Sequence, residues 1–334
     1  MFTNVDNLNR EKCFETHQKE EPIVVVCAAD DKYAMPLAVM ARSVIENIKS
    51  DRKITLFIID GGIQNKNKKK ILKTLGSKNS EIEFIHRPDS LVKKLEDVVK
   101  YTLTNGQAKK HLTIAAYYRL FIADLLPDNV EKAIYLDCDL VVEEDLDKLW
   151  QKNLGDNYLL AAQDIWIHSI SSHNGILNYQ ELGINPNEKY FNSGVIFINI
   201  KKWRSEQISV KAIDYLKQNK DYIRFADQDI LNALFVGEWG ELDLRWNVTP
   251  GIYEYASWNE SPFSENVYNN LINKPYVIHF AAATKPWNSD DALFKEYFYR
   301  YVDKTAWKGW RFTFWKKLQL KLSYKFQKLK KWLG

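Results

Sequence analysis

Short apolar runs rich in β-branched residues alternate with longer stretches of helical period in the first half of the chain, and this alternation limits the possible folds more than any other feature. The runs predicted to form strands are "PIVVVCAAD" (22–30), "KITLFIID" (53–60), "EIEFIH" (81–86) and "KAIYLD" (132–137). The stretches predicted to form helices are 36–48, 64–75 and 112–125. Strands that alternate with helices form mainly parallel sheets covered on both faces, so the pattern predicts an α/β protein.

The second half of the chain is more mixed. Strands are predicted for "YLLAAQD" (158–164), "SGVIFINI" (193–200) and "YVIHF" (276–280), and helices for 208–219 and 228–236. The stretch 240–275 is dense in Asn, Pro, Gly, Ser and Tyr, which favours long loops packed by their own aromatic side chains.

The simplest partition is one α/β domain over 22–304, preceded by a polar extension (1–21) and followed by a basic segment (305–334). The polar N-terminus lacks the apolar core of a signal peptide, and no apolar run approaches the roughly 20 residues that span a bilayer. The three cysteines have no metal-ligand spacing, which fits a reducing compartment. We therefore expect a cytoplasmic protein.

Residues 305–334 hold nine Lys or Arg and no Asp or Glu, so the formal charge of +4 less these nine leaves −5 for the rest of the chain. In this segment Trp315, Leu322, Phe326 and other apolar residues recur at helical spacing with lysines between them. A basic amphipathic helix of this kind favours peripheral association with an anionic membrane, here the inner face of the cell membrane; packing on the domain is the alternative. The net acidic core and the lack of a recognition motif argue against nucleic-acid binding.

Aspartates follow three of the predicted strands. They are Asp30 and Asp31, Asp137 and Asp139, and Asp164. Ligands of open α/β sheets bind at the carboxyl ends of the strands, and acidic groups gathered there need a cation to stay ionised. The pattern indicates a divalent metal site.

In "AIYLDCDLVVEED" (133–145), strand alternation places Asp137 and Asp139 on one side and Cys138 on the other. Two such carboxylates suit Mg²⁺ or Mn²⁺. A solvated strand end is an alternative. A phosphohydrolase of the haloacid dehalogenase class, whose Asp-x-Asp-x-Val pattern uses the first Asp as a nucleophile, is another. That class carries its motif near the N-terminus, and here the motif begins at residue 137.

Seven pieces of the sequence, in this order, resemble the family 8 retaining glycosyltransferases, and in particular the bacterial lipooligosaccharide and lipopolysaccharide galactosyl- and glucosyltransferases. They are "CAADDKYAMPLAVMARSV" (27–44), "HLTIAAYYRLFIADLLP" (111–127), "KAIYLDCDLVV" (132–142), "YFNSGVIFINIKKWR" (190–204), "ADQDILNALF" (226–235), "RWNV" (245–248) and "VIHFAAATKPW" (277–287). The resemblance implies a GT-A fold, a mixed nucleotide-binding sheet flanked by helices. It also implies UDP-glucose or UDP-galactose as donor, and Mn²⁺, or Mg²⁺ in its place, as cofactor.

The resemblance also implies roles for individual residues. Asp137, Asp139 and His279 match the metal ligands. The residues matched to nucleotide-sugar binding are Ala28, Asp30, Lys32 and His111 on the nucleoside side, with Arg119, Cys138, Asn192, Asp227 and Lys285 around the sugar and diphosphate. A lysine at the diphosphate would stabilise departing UDP by charge-assisted contacts.

Three residues are catalytic candidates: Gln228, Asp164 and Asp229. Gln228 matches the position facing the β-face of the donor sugar, and an amide is a poor nucleophile. This favours front-side attack over double displacement, with Asp164 or Asp229 as stabiliser or alternative nucleophile. We expect the acceptor, a lipid-linked or other cell-envelope oligosaccharide, to contact 165–190 and 240–275.

Overall fold

The computed structural model describes residues 21–76, 79–86, 93, 95, 98–102, 114–313 and 315. The nine strands of the described chain are β1 (Ile23–Ala29), β2 (Ile54–Asp60), β3 (Ser80–His86), β4 (Lys132–Leu136), β5 (Leu140–Val142), β6 (Leu159–Gln163), β7 (Phe191–Asn199), β8 (Gly240–Glu241) and β9 (Val277–His279). The α-helices that lie wholly within these ranges are α1 (Ala34–Asn47), α2 (Asn65–Leu75), α3 (Ile122–Leu125), α4 (Asp147–Trp150), α5 (Ile200–Ser205), α6 (Ile208–Asn219), α7 (Asp227–Leu234), α8 (Glu265–Asn273) and α9 (Lys295–Val302).

Seven strands form the main sheet, in the order β3-β2-β1-β4-β7-β6-β8. Four neighbouring pairs are parallel, and β7 runs antiparallel to both β4 and β6. The predicted mainly parallel α/β sheet is confirmed, in the mixed form that the resemblance implies. The carboxyl ends of β1, β4 and β6 and the amino end of β7 therefore meet at one edge.

The central strands are buried on both faces, which explains why their sequences are continuously apolar rather than alternating. Ile23, Val26 and Cys27 of β1 have no exposed surface, and neither do Ile134 and Leu136 of β4. Each fully buried aliphatic side chain of this kind contributes roughly 1.5–3 kcal/mol. This core holds the strand ends in fixed positions.

The run "YLDCDLVV" is not one strand. β4 ends at Leu136, residues 137–139 turn, and β5 leaves the main sheet to pair with β9, with Leu140 opposite His279. Strand alternation is therefore not the reason why Asp137 and Asp139 face the same way. The prediction that Cys138 points to the opposite side is wrong, because Cys138 lines the same cavity as the two aspartates. The main-chain turn and the β5–β9 pairing orient both carboxylates.

Two predictions of secondary structure need correction. The helix expected over 112–125 is, from residue 114 on, a 3-10 helix (Ile114–Phe121) that continues into the single turn of α3. The loops expected over 240–275 include α8. Four asparagines of low helix propensity obscure α8 in the sequence, but Ser264 caps it and Leu271 anchors it in the interior.

The first residues of the basic C-terminal segment lie against the domain. Thr305 and Phe312 are buried, the main-chain N–H of Ala306 donates to Thr74 Oγ1 on α2 at 2.9 Å, and Arg311 pairs with Asp303. The predicted amphipathic helix beyond Trp315 and the polar extension 1–20 lie outside the described residues. Among the described helices, none combines the length and the apolar character that crossing a bilayer requires.

Candidate active site

A cavity of about 640 Å³ opens at the edge where these strand ends meet. This volume lies within the usual range for small-molecule sites, roughly 300–1,000 Å³. Twelve of the residues predicted from the sequence line it, namely Ala28, Asp30, Arg119, Asp137, Cys138, Asp139, Asp164, Asn192, Asp227, Gln228, His279 and Lys285. Lys32 and Asp229 do not line it, and His111 lies outside the described residues.

Asp137, Asp139 and His279 form a cluster whose potential ligand atoms all lie within 4.8 Å of one another. His279 Nε2 is 3.4 Å from Asp139 Oδ1 and 3.7 Å from Asp137 Oδ2. The antiparallel pairing of β5 and β9 produces this proximity, and the main-chain N–H of Phe280 donates to Asp139 O at 2.8 Å. Two carboxylates and an imidazole are a donor set that suits Mn²⁺, so these residues fit the metal that the resemblance implies.

A lysine ammonium already accompanies the carboxylates. The Lys285 ammonium pairs with Asp139 Oδ2 and donates to the carbonyl of Phe280. Burial opposes ionisation of Asp139, but the adjacent Lys285 ammonium holds the pKa of this carboxyl well below its usual range. Asp139 is therefore charged at every physiological pH, as a metal ligand must be.

Arg119 ties the metal cluster to the helix that carries Gln228. Its guanidinium donates to Asp137 Oδ1 and to the carbonyl of Ser193, both at 2.6 Å, and it forms an ion pair with Asp227, whose Oδ2 lies 2.8 Å from Nε. Burial disfavours the charged form, but Asp137 and Asp227 raise the pKa of Arg119 above its ordinary value. The planar fork thus fixes two carboxylates at once, which a lysine cannot do.

A second group of buried side chains surrounds Asp164. Asn192 Nδ2 donates to Asp164 Oδ2 at 2.9 Å, and Gln228 Nε2 lies 3.3 Å from the same oxygen. Asp164 Oδ1 accepts from the main-chain N–H of Trp166 and Ile167. Burial raises the pKa of the Asp164 carboxyl despite these hydrogen bonds.

Asp227 and Asp229 are two residues apart in α7, so they lie on different sides of the helix and have different surroundings. Asp227 borders the cavity, and burial raises its pKa even though Arg119 is adjacent. Asp229 accepts from the Tyr190 hydroxyl at 2.6 Å and from two main-chain N–H groups, of Arg224 and Phe225. Both of its oxygens therefore serve the folded structure, away from the cavity wall.

The end of the cavity that was predicted to hold the nucleoside is built by the turn after β1. Asp30 Oδ1 accepts from the main-chain N–H of Lys32 at 3.0 Å and of Tyr33 at 3.2 Å. This capping directs the Tyr33 ring into the cavity wall, where it meets Trp287 edge to face, and leaves Lys32 exposed.

Several residues at the site were not predicted from the sequence. Trp166, Asn174, Phe225 and Glu254 line the outer part of the cavity. Trp166, Asn174 and Glu254 belong to segments expected to meet the acceptor, and Phe225 does not. Nothing in the sequence distinguishes these four positions from their neighbours. Asn247 was noticed only as part of "RWNV", and it contacts His279 directly.

Comparison with known proteins agrees with this geometry. The profile of Glycosyl transferase family 8 matches residues 24–291. General stress protein A of Bacillus subtilis is 31% identical over 87% of this chain and 96% of its own. A lipopolysaccharide 1,2-glucosyltransferase of Escherichia coli is 28% identical over 81% of this chain and 74% of its own.

The galactosyltransferase LgtC, solved with donor and acceptor sugar analogues, superposes with a TM-score of 0.70 at 31% identity, over 85% of this chain and 96% of that one. The fold and site together define a glycosyltransferase of the GT-A type. The chain belongs to glycosyl transferase family 8 and is a hexosyltransferase, similar to the lipopolysaccharide glucosyltransferase and the galactosyltransferase above. None of these relatives supports the phosphohydrolase alternative.

Proposed function

We propose that this enzyme transfers glucose or galactose from a UDP-sugar to a hydroxyl of a cell-envelope oligosaccharide, with Mn²⁺ as cofactor and with retention of anomeric configuration. The observation that carries the proposal is the juxtaposition in one cavity of a carboxylate–imidazole cluster, a lysine and an amide. Asp137, Asp139 and His279 form the cluster, and Lys285 and Gln228 line the same walls.

Asp137, Asp139 and His279 would hold the metal, which when bound supplies positive charge to a nucleotide diphosphate. Lys285 contributes a second positive charge beside Asp139. Three alanines, Ala281 to Ala283, line the cavity next to it and leave room for the diphosphate. Charge-assisted contacts from Lys285 stabilise the leaving group as the glycosidic bond breaks.

The orientation of the Gln228 amide supports front-side attack. Its Oε1 accepts from the main-chain N–H of Ser193 at 3.0 Å, so its Nε2 faces Asp164 Oδ2. An amide oxygen that already accepts a hydrogen bond is a poor nucleophile toward the anomeric carbon. We infer that Gln228 positions the sugar while Asp164 stabilises developing positive charge, and that the acceptor attacks from the side of departing UDP.

The outer cavity wall supports a sugar acceptor. The indole of Trp166 packs on Gly251, and its Nε1–H donates to Glu254 Oε1 at 2.7 Å. This contact fixes the ring. The indole therefore offers an apolar platform, and the adjacent carboxylate can accept hydrogen bonds from sugar hydroxyl groups. Sugars present such alternating apolar and hydroxylated faces, so we place the acceptor against Trp166 and Glu254.

Peripheral association with an anionic membrane at the cytoplasmic face is the second part of the proposal. Lys66, Lys69, Lys70 and Lys73 occupy one exposed face of α2 at helical spacing, and α2 contains no acidic residue. The C-terminal segment begins on this side of the domain, where Trp307 lies 5.0 Å from Lys70 Nζ. The basic segment 305–334 thus starts beside a second basic surface, and each such lysine near an anionic leaflet is worth roughly 1 kcal/mol.

A UDP-release screen tests the catalytic proposal. Purified full-length enzyme is incubated with UDP-glucose, UDP-galactose and other UDP-sugars, with and without Mn²⁺, and with a lipopolysaccharide-type oligosaccharide. We expect release of UDP from a UDP-hexose that requires the metal and increases with acceptor. Release of phosphate from phosphomonoesters without any action on UDP-sugars would overturn the proposal.

A further inference from the structure

Asn247 links the metal cluster to the donor-sugar side of the cavity through a chain of buried side chains. We propose that Asn247 is a positioning residue that fixes the proton of His279 on Nδ1, so that the lone pair of Nε2 points at Asp137 and Asp139. The inference rests on the proposed metal dependence. It explains how the His279 imidazole is held in the tautomer whose Nε2 is free to bind a metal.

The hydrogen-bond directions begin at a main-chain group. The N–H of Gly194 can only donate, and it lies 3.0 Å from one terminal atom of the Asn192 side chain. That atom must be Oδ1, so the other end of the amide is Nδ2, which faces Asp164 Oδ2 at 2.9 Å. A backbone donor on one side and a carboxylate on the other therefore fix the orientation of Asn192 independently of any assignment of amide atoms.

The same logic fixes Asn247 and then His279. Asn192 Oδ1 also lies 2.9 Å from the Asn247 amide, and an oxygen needs a donor there, so Asn247 presents Nδ2 to it. Asn247 Oδ1 is thus turned toward His279 Nδ1, 2.9 Å away. An amide oxygen only accepts, so Nδ1 carries a proton and the neutral ring leaves Nε2 unprotonated.

Burial makes this chain of hydrogen bonds decisive. Asn247 is 2% exposed, His279 4% and Asn192 6%, so a reversed amide would leave a buried donor or acceptor unsatisfied. The backbone also holds Asn247 in register with His279. The N–H of Val248 donates to Val277 O at 2.9 Å, and the N–H of His279 donates to Val248 O at 2.9 Å.

Two substitutions separate the acceptor role of Asn247 from its bulk. Asn247→Leu has similar volume and removes both hydrogen bonds. Asn247→Asp keeps an acceptor for His279 Nδ1–H but places two oxygens together at Asn192. Asn219→Leu is the matched control, because Asn219 is also buried and is paired with another asparagine, Asn178, at 2.7 Å, outside the cavity wall.

The first measurement is the tautomer of His279 in the full-length, metal-free protein. Long-range ¹H–¹⁵N spectra at alkaline pH, where imidazole is neutral, show which ring nitrogen carries the proton. The loss of one signal in His279→Gln assigns the resonance. A proton on Nδ1 in the wild type is expected, and a proton on Nε2 would overturn the inference even if the variants do not fold.

The second measurement is Mn²⁺ affinity, followed by the EPR signal of free Mn²⁺. Loss of such an outer hydrogen bond commonly costs about 10–100-fold in metal affinity, and we expect this loss for Asn247→Leu. Asn247→Asp should retain more affinity than Asn247→Leu, and Asn219→Leu should equal wild type. Wild-type affinity in Asn247→Leu, or an equal loss in Asn219→Leu, would contradict the inference. If the wild type itself binds no divalent metal, the proposed metal dependence fails, while the tautomer still decides the role of Asn247.

Discussion

Gly194 lies in direct contact with the imidazole ring of His279. A Cβ added to Gly194 would stand 2.3 Å from Cε1 and 2.7 Å from Nδ1 of that ring, and 3.0 Å from Asp137 Oδ2. The main-chain carbonyl of Gly194 also accepts from the N–H of Asp137 at 2.8 Å. β7 therefore forms the floor under two of the three proposed metal ligands, and only glycine leaves space for them.

Gly194→Ala should displace His279 or Asp137 and reduce Mn²⁺ affinity and sugar transfer together, by at least about 10-fold, as for loss of ligand orientation. Isothermal titration with Mn²⁺ and a UDP-release assay measure the two effects. Gly76→Ala is the control, since its added Cβ would meet only Leu72 O, at 3.3 Å, outside the cavity. Unchanged Mn²⁺ affinity in Gly194→Ala would contradict this account of the site.

Asp139→Asn should retain the fold and reduce transfer by at least about 100-fold, the usual scale for loss of a charge aimed at the reacting centre. The substitution keeps the shape of the side chain but removes a metal-binding charge and the partner of Lys285. Circular dichroism and UDP release measure the fold and the activity. Asp147→Asn is the matched control, because Asp147 is equally buried and pairs with Arg52 outside the cavity. Full Mn²⁺-dependent activity of Asp139→Asn would refute the metal assignment.

Trp166→Ala should raise the KM for the oligosaccharide acceptor by about 10-fold, a loss of roughly 1.4 kcal/mol, because the apolar platform is removed. Hydrolysis of the UDP-sugar by water should be unchanged, since Trp166 lies in the outer part of the cavity with Glu254. Initial rates at varied acceptor and varied donor concentrations separate the two. An equal rise in the KM for the donor would place Trp166 at the donor sugar instead.

As the pH rises from about 4 to about 6, the free energy of unfolding should decrease because Asp229 loses its proton. Burial raises the pKa of Asp229 from its ordinary value of 3.8 to about 6 in the folded state. The folded protein therefore binds the proton more tightly, and this stabilisation is complete below pH 3.8 and lost as the pH rises through 6. The difference corresponds to about 3 kcal/mol.

Urea unfolding of wild type and Asp229→Asn at pH 4, 5, 6 and 7 measures this contribution. Because the variant has no carboxyl to titrate, its free energy of unfolding should change less over this interval than that of wild type. Parallel curves for the two proteins would show that Asp229 has an ordinary pKa in the folded state.

Vesicle co-sedimentation tests the membrane proposal. We expect the full chain to bind vesicles that contain phosphatidylglycerol and not pure phosphatidylcholine, and a chain ending at residue 315 to bind more weakly. Ending the chain there keeps the packed residues Thr305 and Phe312 in place. In the full chain, replacing Lys66, Lys69, Lys70 and Lys73 by Gln should also weaken vesicle binding relative to wild type. The difference should decrease as the salt concentration rises. Equal sedimentation of all three proteins would exclude both basic surfaces as membrane contacts.

The mainly parallel α/β class and the acidic strand ends were accessible from the sequence, because they depend on local patterns. β-branched runs predicted β1, β2 and β4 to within a residue or two, and a chain of alternating strands and helices has few ways to form a sheet. α8 was missed because its stability comes from burial of Leu271 and a serine cap rather than from helix propensity.

The sequence by itself determined which chemical groups are available at the site: two aspartates at a strand end, a distant histidine and a lysine in a shared family pattern. Tertiary structure decided their arrangement. The β5–β9 pairing brings His279 beside Asp139, and Asn247 and Asn192 set the direction of the ring nitrogens. It also removed Lys32 and Asp229 from the cavity wall. Such choices depend on contacts between segments far apart in the chain, and a buried hydrogen bond has a direction only when both of its partners are in place.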